Sequence, residues 1–188
     1  GMYITNSSSI SINGDWVSIL DLIGEFHNTT GLILTNSNYT TSARAFTFYD
    51  SSFITLSDNI IVSVQNAIYS NNATEIEITH NIITSTSGSA ISLNVISNSS
   101  ISSNSIFSNA ALILIEAENN VSLFNNSVFS DEGVSIYNST EVYLYNCTIL
   151  SNTTALALYN VSSSHFFYNT ITSKDSYGVL LNLNSSAN

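Results

Sequence analysis

GVSIYNSTEVYLYNCTI, the stretch from Gly133 to Ile149, decides the fold. It contains two triplets, VSI and VYL, in which a single polar residue separates two apolar ones. Alternation with a period of two is typical of β-strands, because successive side chains of a strand point to opposite faces. A polar turn, YNSTE, joins the triplets. We therefore predict two short strands linked by a tight turn, with these core residues: Val134, Ile136, Val142, Leu144 and Ile149.

The same pattern recurs along the chain at intervals of 21 to 23 residues. One apolar column consists of Ile12, Leu34, Leu56, Ile78, Ile101, Leu123, Leu144 and Phe166. A second column, five residues further on, consists of Val17, Tyr39, Ile61, Ile83, Ile106, Val128, Ile149 and Ile171. A further apolar pair completes most units: Phe46/Phe48, Ile91/Leu93, Leu112/Leu114, Val134/Ile136, Leu156/Leu158 and Val179/Leu181. Repetition at this period is typical of a solenoid.

Between the first two columns lies a polar one: Asp15, Ser37, Asn59, Asn81, Asn104, Asn126, Cys147 and Asn169. Five of its eight members are Asn, whose amide both donates and accepts hydrogen bonds. The column therefore predicts an asparagine ladder running along the repeats. Because Asn tolerates the left-handed conformation, we also expect these residues to form the tight corner themselves.

Two folds can accommodate a 22-residue repeat with a regular Asn. A leucine-rich repeat requires a leucine three residues before the first apolar position, where this chain has Ser51, Ala73, Ile96, Glu118, Ser139 and Val161. The second half of each unit also alternates with period two, where a horseshoe would place a helix. A left-handed β-helix would require a hexapeptide period, which is absent.

The repeats therefore predict an all-β, right-handed single-stranded parallel β-helix with about eight coils of ~22 residues. We expect residues 1–188 to form one domain that is a fragment of a longer protein. At the ~4.8 Å spacing of paired strands, eight coils form a rod of roughly 38 Å. The one ambiguous stretch, Asp15 to Phe26, predicts either an irregular coil or a short helix.

Composition excludes several classes of function. Thirteen acidic residues against Arg44 and Lys174 give a net charge of −11, which argues against nucleic-acid binding. No apolar run reaches the ~18 residues of a membrane-spanning helix. The cysteine and histidine spacing of a zinc site is absent, so neither a metal nor a cofactor is expected. Cys147, the only cysteine, is expected to be a buried, inert thiol.

Three segments carry a family resemblance: GVSIYNSTEVYLYNCTI, ALALYNVSSSHFFYNTI and AISLNVISNSSISSNSI. They resemble the parallel β-helix repeats of NosD-like proteins and of the carbohydrate-binding and sugar-hydrolase (CASH) group, over residues ~30–183. The resemblance implies an extracytoplasmic location and, often, contact with polysaccharide. The copper-site role of NosD is not expected here, because one Met, one Cys and three His form no cluster.

The weak candidates for acid–base chemistry are Asp58, Glu77 and His80. Asp58 and His80 occupy one column in adjacent coils, so we expect their Cα atoms ~4.8 Å apart, and Glu77 points outward nearby. The alternative is an Asp–His surface pair with no catalytic role. A lyase-type site is disfavoured, because Arg44 and Lys174 lie about 28 Å apart and only Asp175 is placed beside either. No catalytic residue is assigned, and an enzyme is the less favoured reading.

Aromatic residues suggest a ligand-binding surface. Phe124, Tyr145 and Phe167 occupy one position in consecutive coils, with Tyr143 and Tyr168 beside them. Such a row can contact a sugar or a partner, cover a flank, or simply stack upon itself. Another outward row, Ile60, Ile82, Ser105, Ser127, Thr148 and Thr170, is too mixed for an ice-binding array.

About a dozen N-x-S/T sequons suggest a glycoprotein. They include Asn28, Asn38, Asn72, Asn98, Asn120, Asn138, Asn152 and Asn160. The sequence thus predicts a non-catalytic, extracellular or cell-surface β-helix scaffold or adhesin-type domain. Its expected partners are polysaccharide or other surface proteins, and it can self-associate end to end or along a flank. The alternative is a carbohydrate-active enzyme, a polysaccharide hydrolase or lyase, or an inactive relative.

Overall fold

A computed structural model describes residues 1–182, in which the chain forms twenty strands and no helix. The strands are β1 (Met2–Thr5), β2 (Ser8–Asn13), β3 (Trp16–Ile19), β4 (Gly24–His27), β5 (Thr30–Thr35), β6 (Asn38–Thr41), β7 (Phe46–Ser57), β8 (Ile60–Ser63), β9 (Ile68–Thr79), β10 (Ile82–Ser97), β11 (Ser100–Ser102), β12 (Ser105–Glu118), β13 (Val121–Phe124), β14 (Ser127–Tyr137), β15 (Val142–Tyr145), β16 (Thr148–Ser151), β17 (Leu156–Tyr159), β18 (His165–Phe167), β19 (Thr170–Ser173) and β20 (Val179–Asn182). No helix within this part of the chain could span a membrane.

Every strand pairing is parallel and joins one coil to the next, so the chain winds into a three-sided β-helix. Sheet 1 contains β2, β5, β11, β13, β15, β18 and the C-terminal parts of β7 and β9. Sheet 2 contains β3, β6, β8, β16, β19 and the N-terminal parts of β10, β12 and β14. Sheet 3 contains β1, β4, β17, β20 and the remaining parts of β7, β9, β10, β12 and β14.

The predicted apolar columns form the core. Leu34, Leu56 and Ile78 are fully buried and stand in register in adjacent coils of sheet 1. Tyr39, Ile61 and Ile83 do the same in sheet 2. Burial of such a side chain stabilises the fold by about 1.5–3 kcal/mol, so the stacked columns hold the coils together. The short-helix alternative for Asp15 to Phe26 is wrong, because β3 and β4 occupy this stretch and pair with the next coil.

Left-handed residues occur at three turns of a coil and recur as columns, with Asn119 and Asn120 both left-handed at one of them. The turn between sheets 1 and 2 uses Gly14, Asn36, Asp58, His80, Ser103, Asn125, Asn146 and Tyr168. Two closely spaced turns connect sheet 3 to sheet 1, for example at Asn28 and Gly31. Asn and Asp predominate because short polar side chains tolerate positive φ. The expectation that the ladder asparagines themselves are left-handed is wrong, because positive φ belongs to the residue before each of them.

The asparagine ladder itself is present, buried inside that turn. The backbone N–H of Asn59 donates to Asn81 Oδ1 at 2.9 Å, and the Asn81 N–H donates to Asn104 Oδ1 at 2.9 Å. Each amide nitrogen also donates to a carbonyl of the preceding coil, as Asn81 Nδ2 does to Leu56 O at 2.8 Å. The ladder thus satisfies the polar groups of a buried corner, where an unpaired group is costly.

Candidate ligand-binding surfaces

The predicted aromatic row lies on the outer side of sheet 1. The rings of Phe124 and Tyr145 stack with centroids 5.2 Å apart and planes 6° apart, and Tyr145 and Phe167 stack at 5.3 Å and 5°. Tyr168, at the left-handed turn, meets Phe167 edge to face at 5.5 Å. The row exists because parallel register places the same outward position of each coil directly above the last.

Tyr143 belongs to the neighbouring outward column of sheet 1 and stacks on His165 at 5.5 Å. The structure therefore brings together all five aromatic residues predicted for ligand contact. It adds His165, which was not among the predicted site residues. The signal for His165 was available, because it stands 22 residues after Tyr143 in the same column.

The same column of sheet 1 leads to a shallow groove of about 630 Å³ at the other end of the rod. Ile33, Thr55, Glu77 and Ser100 line it from consecutive coils. Phe53, Glu75 and Asn98 line it from the left-handed turn before the sheet. Glu77 therefore points outward, as expected, and it faces the groove.

Asp58 and His80 do not join Glu77 in that groove. Both occupy the left-handed turn at the far edge of sheet 1, where the Asp58 N–H donates to Thr79 O at 3.2 Å. His80 Nδ1 lies 3.1 Å from Thr79 Oγ1. Within residues 1–182, no hydrogen bond or ion pair joins any two of Asp58, Glu77 and His80. The three residues therefore form no assembled acid–base centre.

A different carboxylate–histidine pair lies on sheet 3. Glu25 Oε1 and His27 Nε2 are 2.6 Å apart, and both side chains are partly exposed. The His27 ring lies between Tyr3, at 5.4 Å, and Tyr49, at 4.7 Å. This pair was not among the predicted site residues, although the alternation of β4 places Glu25 and His27 on the same outward face.

Arg44 lies close to that pair. Its guanidinium lies 5.0 Å from the ring centroid of Tyr69, and it lines a cavity of about 260 Å³ with Asp21 and Glu25. Thr47 lines the same cavity, and its buried hydroxyl has no hydrogen-bond partner. Asp21 and Glu25 therefore share a cavity with Arg44, although the repeat columns, on which the sequence prediction was based, place no carboxylate beside it.

The loops that hold this cavity are tied together between coils. Ser42 Oγ donates to Leu20 O at 2.6 Å, and Thr41 Oγ1 donates to the Asp21 carbonyl. These bonds join the loops that connect sheets 2 and 3 in adjacent coils. Asp21 and Arg44 stand at different places in loops of irregular path, so no repeat column relates them.

No group of three or more His, Cys, Asp or Glu residues in the described part of the chain could hold a metal ion. Cys147 is buried in the ladder, with its Sγ 3.9 Å from Asn126 Nδ2 and 3.7 Å from Leu123 O. Burial raises the pKa of this thiol, which keeps it protonated near neutral pH. A protonated, buried thiol is a poor nucleophile and a poor metal ligand.

A family model described as the right-handed β-helix region matches residues 44–188. The chain belongs to this family. The match agrees with the three-sided parallel coil and confirms the predicted right-handed β-helix of about eight turns. No curated protein matches the sequence.

Among solved structures, the family member resembles the periplasmic alginate epimerase AlgG. The TM-score is 0.70 for a double mutant of that enzyme, at 11% identity over 93% of this chain, and 0.69 for the enzyme itself, at 13% identity over 89%. The chain spans about half of the AlgG structures, 58% and 49%. At this identity the likeness shows the shared fold.

Proposed function

We propose that this chain is a non-catalytic β-helix domain of an extracellular or cell-surface protein, and that the outer side of sheet 1 contacts a polysaccharide. One observation carries the proposal. The groove at Ile33 and Glu77 and the aromatic row at Tyr145 share one straight pair of outward columns. Together they form an elongated strip along the rod, as a linear polymer requires.

The chemistry of the strip suits sugars. Ring edges and Ile33 supply apolar surface for the C–H groups of a pyranose. Tyrosine hydroxyls, Asn98 and the carboxylate of Glu77 can hydrogen-bond to its hydroxyl groups. AlgG, which shares the fold, is an alginate epimerase, and this likeness supports a polysaccharide ligand.

The charge of the strip favours an uncharged polysaccharide over a polyuronate. Glu75 and Glu77 line the groove, whereas Arg44 lies in the loop between sheets 2 and 3 and Lys174 follows sheet 2. No lysine or arginine therefore faces the strip, and a chain of carboxylates would be repelled by a domain of net charge −11.

The test is calorimetric binding to neutral glucans and mannans, with alginate as the charged comparison. We expect Tyr145→Ala to weaken binding to a neutral glycan at least about tenfold, which corresponds to ~1.4 kcal/mol. Tyr159→Ala is the matched control, because Tyr159 stacks on Tyr137 on sheet 3 at 4.7 Å. Equal affinities for wild type and Tyr145→Ala would remove sheet 1 as the binding surface.

A carbohydrate-active enzyme is the second proposal. The observation that favours it is the Glu25–His27 pair beside Arg44 and the unpartnered Thr47 hydroxyl. A polysaccharide degradation panel should compare wild type with Glu25→Gln, His27→Gln, Asp58→Ala and Glu77→Ala. If the wild type degrades a polysaccharide and Glu25→Gln abolishes this activity, the non-catalytic proposal is contradicted and the reaction is assigned to sheet 3. Activity abolished only by Asp58→Ala or Glu77→Ala would instead favour the acid–base candidates predicted from the sequence.

The surface location has its own support. Sequons recur at one exposed left-handed turn, at Asn6, Asn28, Asn72, Asn138 and Asn160. Glycans at this turn would line one edge of the rod and leave the three sheets uncovered. Intact-mass measurement on protein from a glycosylating host tests this, and an unmodified mass would count against the glycoprotein proposal. A single β-helix domain in a longer protein, with surface proteins or other copies as partners, completes the proposal.

A further inference from the structure

The outer side of sheet 2 differs from the other surfaces because it carries no charge. Its two outward columns are Trp16, Asn38, Ile60, Ile82, Ser105, Ser127, Thr148, Thr170, and Ser18, Thr40, Val62, Thr84, Phe107, Phe129, Leu150, Thr172. None of the thirteen acidic residues and neither cation belongs to these columns. By contrast, sheet 1 presents Glu77 and sheet 3 presents Glu25.

Large apolar side chains on this surface are exposed: Trp16, 82% exposed, stands at the end of the first column, and the others form two blocks further along the rod. Ile60 and Ile82, in the first column, are 44% and 46% exposed. Phe107, Phe129 and Leu150, in the second column, are 42%, 39% and 43% exposed, and Phe107 stacks on Phe129 at 5.4 Å. Exposed apolar patches of this kind mark interaction sites.

The two columns are complementary in size. Where the second column is bulky, at Phe107, Phe129 and Leu150, the first column has Ser105, Ser127 and Thr148 in the same coils. Where the first column is bulky, at Ile60 and Ile82, the second has the smaller Val62 and Thr84. A two-fold axis parallel to the rod would bring each column of one copy onto the other column of its partner. Every large side chain would then face a smaller one.

We propose that two copies of this chain associate side by side through sheet 2, parallel and in register. Phe129 of each copy then packs over Ser127 of the other, and Leu150 packs over Thr148. In an antiparallel dimer, whose two-fold axis is perpendicular to the rod, each column would face the same column of the partner. The bulky residues of the two columns lie in different coils, so no single position of that axis would place both sets against small side chains.

The area of sheet 2 and the absence of charge in its outward columns are compatible with a second copy. Two chains of net charge −11 repel each other, and pairing through sheet 2 brings no acidic side chain of its two outward columns into the contact, although Asp131 lies at its edge beside Phe129 and Leu150. A strip four residues wide and eight coils long measures about 13 by 38 Å. It buries about 500 Å² per copy, or about 1,000 Å² in all, which is the lower limit for a specific interface. A weak, reversible dimer is therefore expected, independent of any sugar on sheet 1.

Sedimentation equilibrium of the full chain from about 5 to 500 µM tests the proposal, since weak complexes dissociate on dilution. We expect the mass to rise from one copy toward two. Leu150→Asp should remain a single copy throughout. Val95→Asp is the matched control, because Val95 is 38% exposed at a left-handed turn outside sheet 2, where Asp is better tolerated. It should dimerise as wild type does, and circular dichroism should show both variants folded.

A mixing experiment tests the parallel register. Thr148 of one copy faces Leu150 of the other, so a mixture of Thr148→Lys and Leu150→Asp chains brings opposite charges together. We expect the mixture to recover a dimer that neither variant forms alone. A wild-type chain that stays a single copy at 500 µM, or equal loss in Leu150→Asp and Val95→Asp, would overturn the dimer. Failure of the mixture to associate would overturn the register.

Discussion

The asparagine ladder and the aromatic row are both single columns that repeat once per coil, but the ladder is buried and structural whereas the row lies on the surface. Asn81, inside the turn, is 1% exposed and is joined by hydrogen bonds to Asn59 and Asn104. The side chain of Tyr145, on sheet 1, is partly exposed and stacks on the rings of Phe124 and Phe167. The inner column is fixed by the need to satisfy buried backbone groups. The outer column is free of that need, so its residues can be chosen for contact with other molecules.

The largest expected effect comes from cutting the ladder. Asn81→Leu removes the acceptor of the Asn59 N–H and the donor to Leu56 O, leaving two buried groups unpaired. We expect a loss of about 3 kcal/mol in unfolding free energy, measured in urea. The matched control is Asn94→Leu, whose outward amide donates to Asn71 Oδ1 at 3.1 Å, and we expect a change below about 0.5 kcal/mol. Equal losses would show that a buried ladder amide contributes no more than an outward amide of sheet 3.

Completing the ladder should have the next largest effect. Cys147 interrupts it, because its Sγ is a weak acceptor at 3.9 Å from Asn126 Nδ2. Cys147→Asn should stabilise the fold by about 1 kcal/mol at pH 7. A less stable variant would show that the corner is fitted to sulfur.

The stability that Cys147→Asn gains over the wild type should also increase at alkaline pH. Burial raises the folded-state pKa of Cys147 above its unfolded value, so the thiol contributes full stability below the unfolded pKa of about 8.5 and loses it as pH rises. Cys147→Asn lacks this loss. The difference in unfolding free energy between variant and wild type should therefore widen above about pH 9. Burial also raises the pKa of Tyr39, but this contribution is common to both proteins and cancels.

Removing a ring from the outer row should cost less than cutting the ladder. Tyr145→Ala loses two stacking neighbours, and we expect about 1 kcal/mol in unfolding free energy. Tyr159→Ala, which loses its stack on Tyr137, should cost about half as much. A loss near 3 kcal/mol for Tyr145→Ala would assign the row a structural role like that of the ladder.

The smallest effect is expected at the left-handed turn that separates the two columns. Asp58→Asn keeps a residue that tolerates positive φ, so its unfolding free energy should change by less than about 0.3 kcal/mol. Thermal and urea unfolding would measure it. A change above about 1 kcal/mol would mean that the Asp58 charge has a partner, and would strengthen the acid–base hypothesis.

The sequence predicted the columns well and the corners poorly. Leu56, Tyr145 and the ladder were placed correctly, because inward and outward alternation repeats strictly every coil. The left-handed residue was predicted one position too late, because two adjacent polar residues occupy most of the turns and periodicity does not separate them. The Glu25–His27–Arg44 cavity was missed because the loops between sheets 2 and 3 have no common path from coil to coil.

The sequence by itself determined the coil, its period, its core and which side chains stack in columns. These follow from local alternation and from the identity of neighbouring repeats. Only the tertiary structure decided which columns share a surface and which side chains lie near a loop residue such as Arg44. It also separated Asp58 and His80 from Glu77. The physical reason is that contacts across a turn depend on backbone dihedrals and loop hydrogen bonds, which leave no period in the sequence.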